Sequence, residues 1–184
     1  MSVQGAEKTT VIPHRKIELL ILKYNIDYIF MRPSYFMQNL TTTLNKEIKE
    51  EKTITLPSGK GKFNWIDIAN IAELGAKFIS EFDTYKNNAY TISGRENLNF
   101  GIVVKRINTI CKSNIKFESV GPVKFYFKKK KEGFQRGLIM VMLVLHFLPR
   151  IQKEPEIVST YKDIFKSEPN SIDFFIEHNK DKFI

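Results

Sequence analysis

Residues 27–40 read DYIFMRPSYFMQNL, and the first half of that stretch decides the fold class. Tyr28, Ile29, Phe30 and Met31 are consecutive apolar residues, too few for a helix of their own. A run of this length suits a strand covered on both faces, as in the parallel sheet of an α/β domain. Arg32-Pro33 is expected to end it, because proline has no N–H for the ladder and holds the preceding residue extended. Ser34 is placed to accept from the free N–H groups of a helix starting at Tyr35. Strand, abrupt stop and helix start make a corner at the carboxyl end of a strand, the position where open α/β sheets bind ligands.

Upstream of this corner, Pro13 opens a helix in which Ile17, Leu20, Ile21 and Tyr24 recur at helical spacing. That amphipathic face is expected to lie on the sheet, and Asn25 closes the helix because asparagine tolerates the left-handed region. Downstream, the helix is expected over 35–49, followed by a strand at 53–56 that Pro57-Ser58-Gly59 turns. Residues 59–62, Gly-Lys-Gly-Lys, then read as a basic hairpin turn into a second strand at 63–66. Asp67 caps a helix whose Ile68, Ile71, Ala72, Gly75, Ile79 and Phe82 point one way. A strand at 89–92 stops at Ser93-Gly94, a helix over 98–112 turns Val103, Ile107 and Ile110 inward, and 115–117 is a last short strand. From Pro122 the pattern is helical. Its longest apolar run, 138–148, is interrupted by His146; it is too short to span a bilayer and reads as a buried helix.

With 184 residues the chain has enough length for one good-sized core, or one domain with a small appendage. The net charge of +9 makes an anionic partner reasonable, whether a phosphate-bearing cofactor, nucleic acid or an acidic surface. It does not choose among them, since 29 Lys+Arg spread over solvated faces give the same total. The dense run is 128–131, four lysines behind Phe125, Tyr126 and Phe127, and it reads as a solvated helix face with aromatics tucked inward. A single cysteine, Cys111, excludes an internal disulfide and a multi-cysteine metal site; it reads as a small buried hydrophobe, and His146 as a core histidine. No His/Asp/Glu cluster has metal spacing. The first residues, MSVQGAEKTT, lack the apolar segment of a signal peptide, so a cytoplasmic protein without membrane or metal is expected.

RPSYFMQNL, preceded by SVQGAEK and PHRKIE and followed by FNWIDIANIAELGAKF and YTISG, resembles the NmrA-like family. These are atypical short-chain dehydrogenase/reductase proteins with an NAD(P)-binding Rossmann domain, and the matching blocks are collinear from Ser2 to about Phe117. The resemblance implies that Pro33, Ser34, Tyr35 and Phe36 border the nicotinamide ring, although Phe36 and Leu40 at i, i+4 equally suit core packing. It places the lysine of the superfamily's Tyr-x-x-x-Lys pair at His14 and the tyrosine at Thr10, so that pair is absent. His14 remains able to donate to a ribose or an amide, or is simply a surface residue at a helix start. Tyr126-x-x-x-Lys130 has the spacing but lies where the resemblance implies no catalysis. Asn70 stands where the family often carries an acidic residue.

An absence matters as much. Dinucleotide domains need a glycine-rich turn before a helix, so that backbone N–H groups meet the pyrophosphate. No G-x-G-x-x-G, G-x-x-G-x-x-G or G-x-x-x-x-G-K-[ST] occurs here. Against the family, roughly the first hundred residues are missing, the span of a half-domain holding the cofactor phosphates. Ser2 would fall near the nicotinamide, yet as the second residue it is expected to fray.

The expectation is therefore an α/β protein carrying the C-terminal part of an incomplete Rossmann-like parallel sheet. Residues 1–50 are the remnant of the NAD(P)-binding half, 51–120 a substrate-side α/β segment and 121–184 a helical C-terminal segment. The function expected is that of a truncated or split oxidoreductase or redox-sensing regulator without independent catalysis, with NADP(H) the cofactor of the intact family. Self-association or an N-terminal partner chain would cover the strand edge beside 28–31. The alternatives are a basic module for an anionic partner, nucleic acid or an acidic surface, using 128–131, or a reductase completed by a separate N-terminal chain; nucleic acid is not the expected partner.

Overall fold

Pro13 sets the first turn of helix α1 (Pro13–Lys23), and the chain leaves it at Asn25 with the expected left-handed φ of 52°. The computed structural model describes residues 1–8, 10 and 12–184. After α1 come β1 (Ile29–Pro33), β2 (Tyr35–Phe36), β3 (Thr53–Leu56), β4 (Phe63–Ile66), α2 (Ile68–Ser80), α3 (Phe82–Tyr85) and β5 (Asn88–Ile92). Then follow β6 (Asn97–Leu98), α4 (Phe100–Cys111), β7 (Lys116–Ser119), α5 (Pro122–Lys131), α6 (Arg136–Phe147), α7 (Thr160–Phe165) and α8 (Ile172–His178). Parallel strand pairs among helices make this an α/β fold of the Rossmann-like kind. The chain forms two compact units, each assembled from three separate segments.

The first unit comprises Met1–Met37, Asn64–Glu96 and Glu156–Ser171. Its centre is β1 paired in parallel with β5, Ile29 opposite Asn88 through to Pro33 opposite Ile92. The strand thus runs through Arg32-Pro33 instead of ending there. Pro33 needs no N–H, because its carbonyl accepts from Gln4 and the ladder to β5 continues through Ser34 N–H to Ile92 O at 2.9 Å. On the other edge of β1, Ser2 N–H donates to Met31 O at 2.7 Å, so this terminus is tied down rather than frayed and pairs with the Met31 end of the edge expected to be bare. Ile66, Ile71, Leu74, Phe78, Ile92 and Tyr161 form the buried core of this unit.

Two helix faces of this unit differ from expectation. Ile17, Leu20 and Tyr24 of α1 are exposed, and the helix turns Glu18 inward. Glu18 accepts from Arg32 Nε at 2.9 Å and Nη2 at 2.7 Å, so a charge-assisted bidentate pair sets the helix rotation in place of an apolar stripe. Helix α2 buries Asn70, Ile71, Leu74 and Phe78, leaving Ile68, Ile79 and Phe82 outside. Its Asp67 cap is as expected, accepting from Ala69 N at 3.0 Å.

The second unit comprises Gln38–Phe63, Asn97–Pro155 and Ile172–Ile184. Here β3 pairs in parallel with β7, α4 packs on α8, and α5 packs on α6. No single α-helix spans 35–49: β2 is extended, Met37–Leu40 is a 3₁₀ turn, and α-helical geometry appears only at 45–46, leading into a π-helical turn at Glu47–Glu51. Three successive threonines resist helix, and the hydroxyls of Thr41 and Thr42 bond back to Gln38 O. Residues 59–62 are not a hairpin turn, because β3 and β4 pair with other strands. The lysine run is not simply solvated either. Lys129 is 2% exposed and donates to Glu47 and Glu132, while Lys128 donates to Glu51 at 2.9 Å. Half of the supposed basic patch is therefore neutralised internally.

Helix α6 buries only Ile139, Met142 and His146. Leu138, Met140, Val141, Val144 and Leu145 are exposed, and by helical periodicity they occupy one continuous arc opposite the buried residues. The run read as a buried helix is half buried. His146 and Cys111 are buried as expected. No helix among the described residues is long and apolar enough to cross a membrane, and no described residues cluster as metal ligands.

Candidate functional site

The corner at the carboxyl ends of β1 and β5 brings the predicted loop together with residues the sequence reading passed over. Ser34 does not cap a helix. Its hydroxyl donates to Asn64 Oδ1 at 2.6 Å, and the same oxygen accepts Gly94 N–H at 2.7 Å. Asn64 Nδ2 returns a bond to Gly94 O at 3.1 Å. One buried asparagine thus ties the loop after β1 to the loop after β5, with each amide atom paired. Gly94 has to be glycine, since a Cβ there would lie 1.6 Å from Trp65 O.

Tyr35 and Phe36 extend the corner as strand β2, in parallel register with Trp65 and Ile66. The Tyr35 and Trp65 rings meet edge to face with centroids 4.9 Å apart. Trp65 is 1% exposed, whereas Ser34, Tyr35 and Phe36 are half-buried and present part of their surface outward. Pro33 is buried. His14 lies exposed in the first turn of α1 and shares a helix face, at i, i+4, with the Glu18 that holds Arg32. Residues 33–36 thus lie together at the end of β1 and in β2, whereas His14 lies on α1.

Beside this corner, a cleft of about 220 Å³ opens between the end of β5 and the segment around α7. Ser93, Arg95, Val158, Tyr161, Lys162 and Pro169 line much of it. Ser93 Oγ accepts Val158 N–H at 2.8 Å and donates to Val158 O at 3.1 Å, while Arg95 Nε donates to Pro169 O. Asn170 closes the segment onto α2, its N–H donating to Asn70 Oδ1 at 2.7 Å and its amide to Asp67 Oδ2 at 2.9 Å. Asp67 is therefore both a helix cap and a clasp. Burial raises the Tyr161 phenol, and its hydrogen bond to Glu73 raises it further, so Tyr161 is not an acid–base group near neutrality.

Electrostatically, the strongest perturbation near the corner is at Glu18. Burial alone would raise its carboxyl, but hydrogen bonds led by that of Arg32 outweigh it and hold the pKa at about 2. Tyr126 and Lys130 lie on α5, in the other unit. Asn64 and Gly94 were missed, although a polar residue inside the four-residue strand FNWI is itself a signal, because a buried amide must be satisfied.

No family model matches the sequence. The chain is 22% identical over 161 residues to festuclavine synthase I of Penicillium roqueforti, covering 86% of this chain and 56% of that protein. It is 25% identical over 150 residues to an uncharacterised oxidoreductase of Bacillus subtilis, covering 81% and 52%. Among solved structures, the triphenylmethane reductase of Citrobacter sp. complexed with NADP(H) matches with a TM-score of 0.81 at 15% identity, over 97% of this chain and 63% of that one. The chain spans about half the length of the curated relatives it matches. Proteins named as oxidoreductases and dehydrogenases are among its relatives, and NADPH-dependent reductases are among its structural neighbours.

Proposed function

We propose that this chain supplies the nicotinamide-side corner, and part of the substrate-facing wall, of an NAD(P)-dependent oxidoreductase akin to the NmrA-like proteins. In this reading it does not transfer hydride alone. The observation that carries it is the Ser34–Asn64–Gly94 knot, which fixes the residue 33–36 loop at the carboxyl ends of two parallel strands. A nicotinamide cofactor would supply the hydride. Tyr35 and Phe36 would exclude water from the ring, and Ser34, fixed by Asn64, would keep the loop in place.

The fit is one-sided. The aromatic loop and the exposed His14 suit a ring and a ribose, but among the described residues no glycine-rich turn at a helix start beside this corner suits a pyrophosphate. The N-terminus of α2 is taken up by Asp67 and that of α4 by Asn99, whose side chain accepts Ile102 N–H at 3.0 Å. With no glycine-rich turn in these 184 residues, the phosphates would be held by residues outside them, in the same polypeptide or a partner. Catalysis and redox-responsive regulation would both begin with that shared binding step.

Trp65 is the only tryptophan, so its emission reports on this corner. Reduced nicotinamide mononucleotide should quench that emission by energy transfer, and Tyr35→Ser combined with Phe36→Ser should abolish the effect. Emission unchanged up to about 10 mM ligand, the edge of weak binding, would overturn the assignment.

A further inference from the structure

The Gly-Lys-Gly-Lys turn at 59–62 is not used by the corner described above, and it builds a second concave site within the second unit. The cleft holds about 530 Å³ and is lined by residues 59–62 together with Pro149, Arg150, Gln152 and Glu154. Both glycines are demanded by how closely the two segments approach. Gly59 has a φ of +55°, and a Cβ there would lie 2.9 Å from Arg150 Nε. A Cβ on Gly61 would lie 2.7 Å from the Pro149 carbonyl carbon. Gly59 N–H is anchored on Ser119 Oγ at 3.0 Å.

The result is a concentration of positive charge in one hollow. Lys60 is exposed and has no ion-pair or hydrogen-bond partner among the described residues. Arg150 is held with its guanidinium 5.3 Å from the centre of the Phe147 ring, and its one hydrogen bond is Nη1 to Pro57 O at 3.5 Å. Its remaining N–H donors have no hydrogen-bond partner among the described residues. Lys62 alone is balanced, by Glu154 at 2.7 Å, and Glu154 is the only carboxylate in the lining. Just before Gly59, the fully buried Ser58 hydroxyl also lacks a partner among the described residues. Three cations and one carboxylate thus line the same hollow, an excess of positive charge that an anion would offset, and a guanidinium fork together with an ammonium suits the oxygens of a phosphate.

We propose that this cleft binds the phosphate group of a small phosphorylated molecule, with Arg150 and Lys60 as its principal contacts. The site is separate from the residue 33–36 corner and does not depend on the reading given for it. Calorimetric titration of the full chain with inorganic phosphate and with adenosine monophosphate tests it without involving Trp65. Saturable binding of one phosphate per chain is expected, weakened about tenfold by Arg150→Gln and again by Lys60→Glu, the loss of one charge-assisted contact each. Lys105→Gln, an exposed lysine on α4, should leave binding unchanged. Adenosine monophosphate binding more tightly than phosphate would support the site and identify a nucleotide as the source. Equal affinities would support it as a site for the phosphate alone. If Arg150→Gln loses its packing on Phe147 and does not fold, Lys60→Glu carries the test, since Lys60 contacts nothing the fold requires. No saturable binding up to about 10 mM, or binding indifferent to Lys60→Glu, overturns the proposal.

Discussion

Two buried ionisable residues, one in each unit, give the protein a pH dependence that can be assigned residue by residue. His146 is buried with Nδ1 2.7 Å from Met142 O, and burial lowers its pKa from 6.5 to about 4. It is neutral in the fold, while the unfolded chain takes up its proton first. Stability should therefore fall as the pH drops from about 6.5 to 4, by at most about 3 kcal/mol. Glu18 acts lower down. Its carboxylate is held at about 2 against an ordinary 4.5, so its contribution is complete above 4.5 and is lost between 4.5 and 2. Urea denaturation across this range should show both limbs. His146→Leu should remove the upper one, and Glu18→Gln should shrink the lower, to which carboxylates held low by neighbouring lysines, such as Glu118 and Glu154, also contribute. Glu18→Gln should also cost about 3 kcal/mol at pH 7, because it leaves the buried Arg32 guanidinium with Glu7 as its carboxylate partner. A lower limb unchanged by Glu18→Gln would contradict the assignment. Neither shift was legible from spacing, since Glu18 lies off the apolar stripe that seemed to set the helix rotation.

At the scale of elements, the sequence announced most strands and helix starts but not what they face. Asp67, Pro13, Asn25 and Ser93-Gly94 mark boundaries through local chemistry, and the fold honours them all. The helix expected over 35–49 fails because Ser34 gives its hydroxyl to Asn64, a partner thirty positions away that no local pattern reveals. That partner also explains why Gly94→Ala should be among the most damaging single changes. A Cβ 1.6 Å from a backbone oxygen forces the loop off Asn64, with an expected loss of more than about 3 kcal/mol in chemical denaturation. The outward arc of α6 gives the opposite test. Val141→Ser and Val144→Ser should leave stability within about 0.5 kcal/mol, because those side chains are exposed. A larger loss would mean that the arc is covered in solution.

For the whole molecule, composition and the apolar run at 28–31 were enough for the α/β class, although of that run only Phe30 is buried. The grouping of segments was not legible. The pair β1–β5 joins residues about sixty apart, and each unit draws on three stretches of chain. Parallel pairing over such separations is set by tertiary packing, which leaves no periodic trace. The apolar run and the proline after it point to the corner, and the structure supplies the asparagine and glycine that hold it together. In the function proposed above, this corner meets a nicotinamide ring while the described residues around it offer no grip for the pyrophosphate. The direct measurement is Trp65 quenching by NADPH compared with reduced nicotinamide mononucleotide, in phosphate buffer so that the residue 59–62 cleft does not compete. Dissociation constants within about threefold of each other are predicted, since the adenylate half would add no binding energy. NADPH binding about a hundredfold tighter than the mononucleotide would contradict the account.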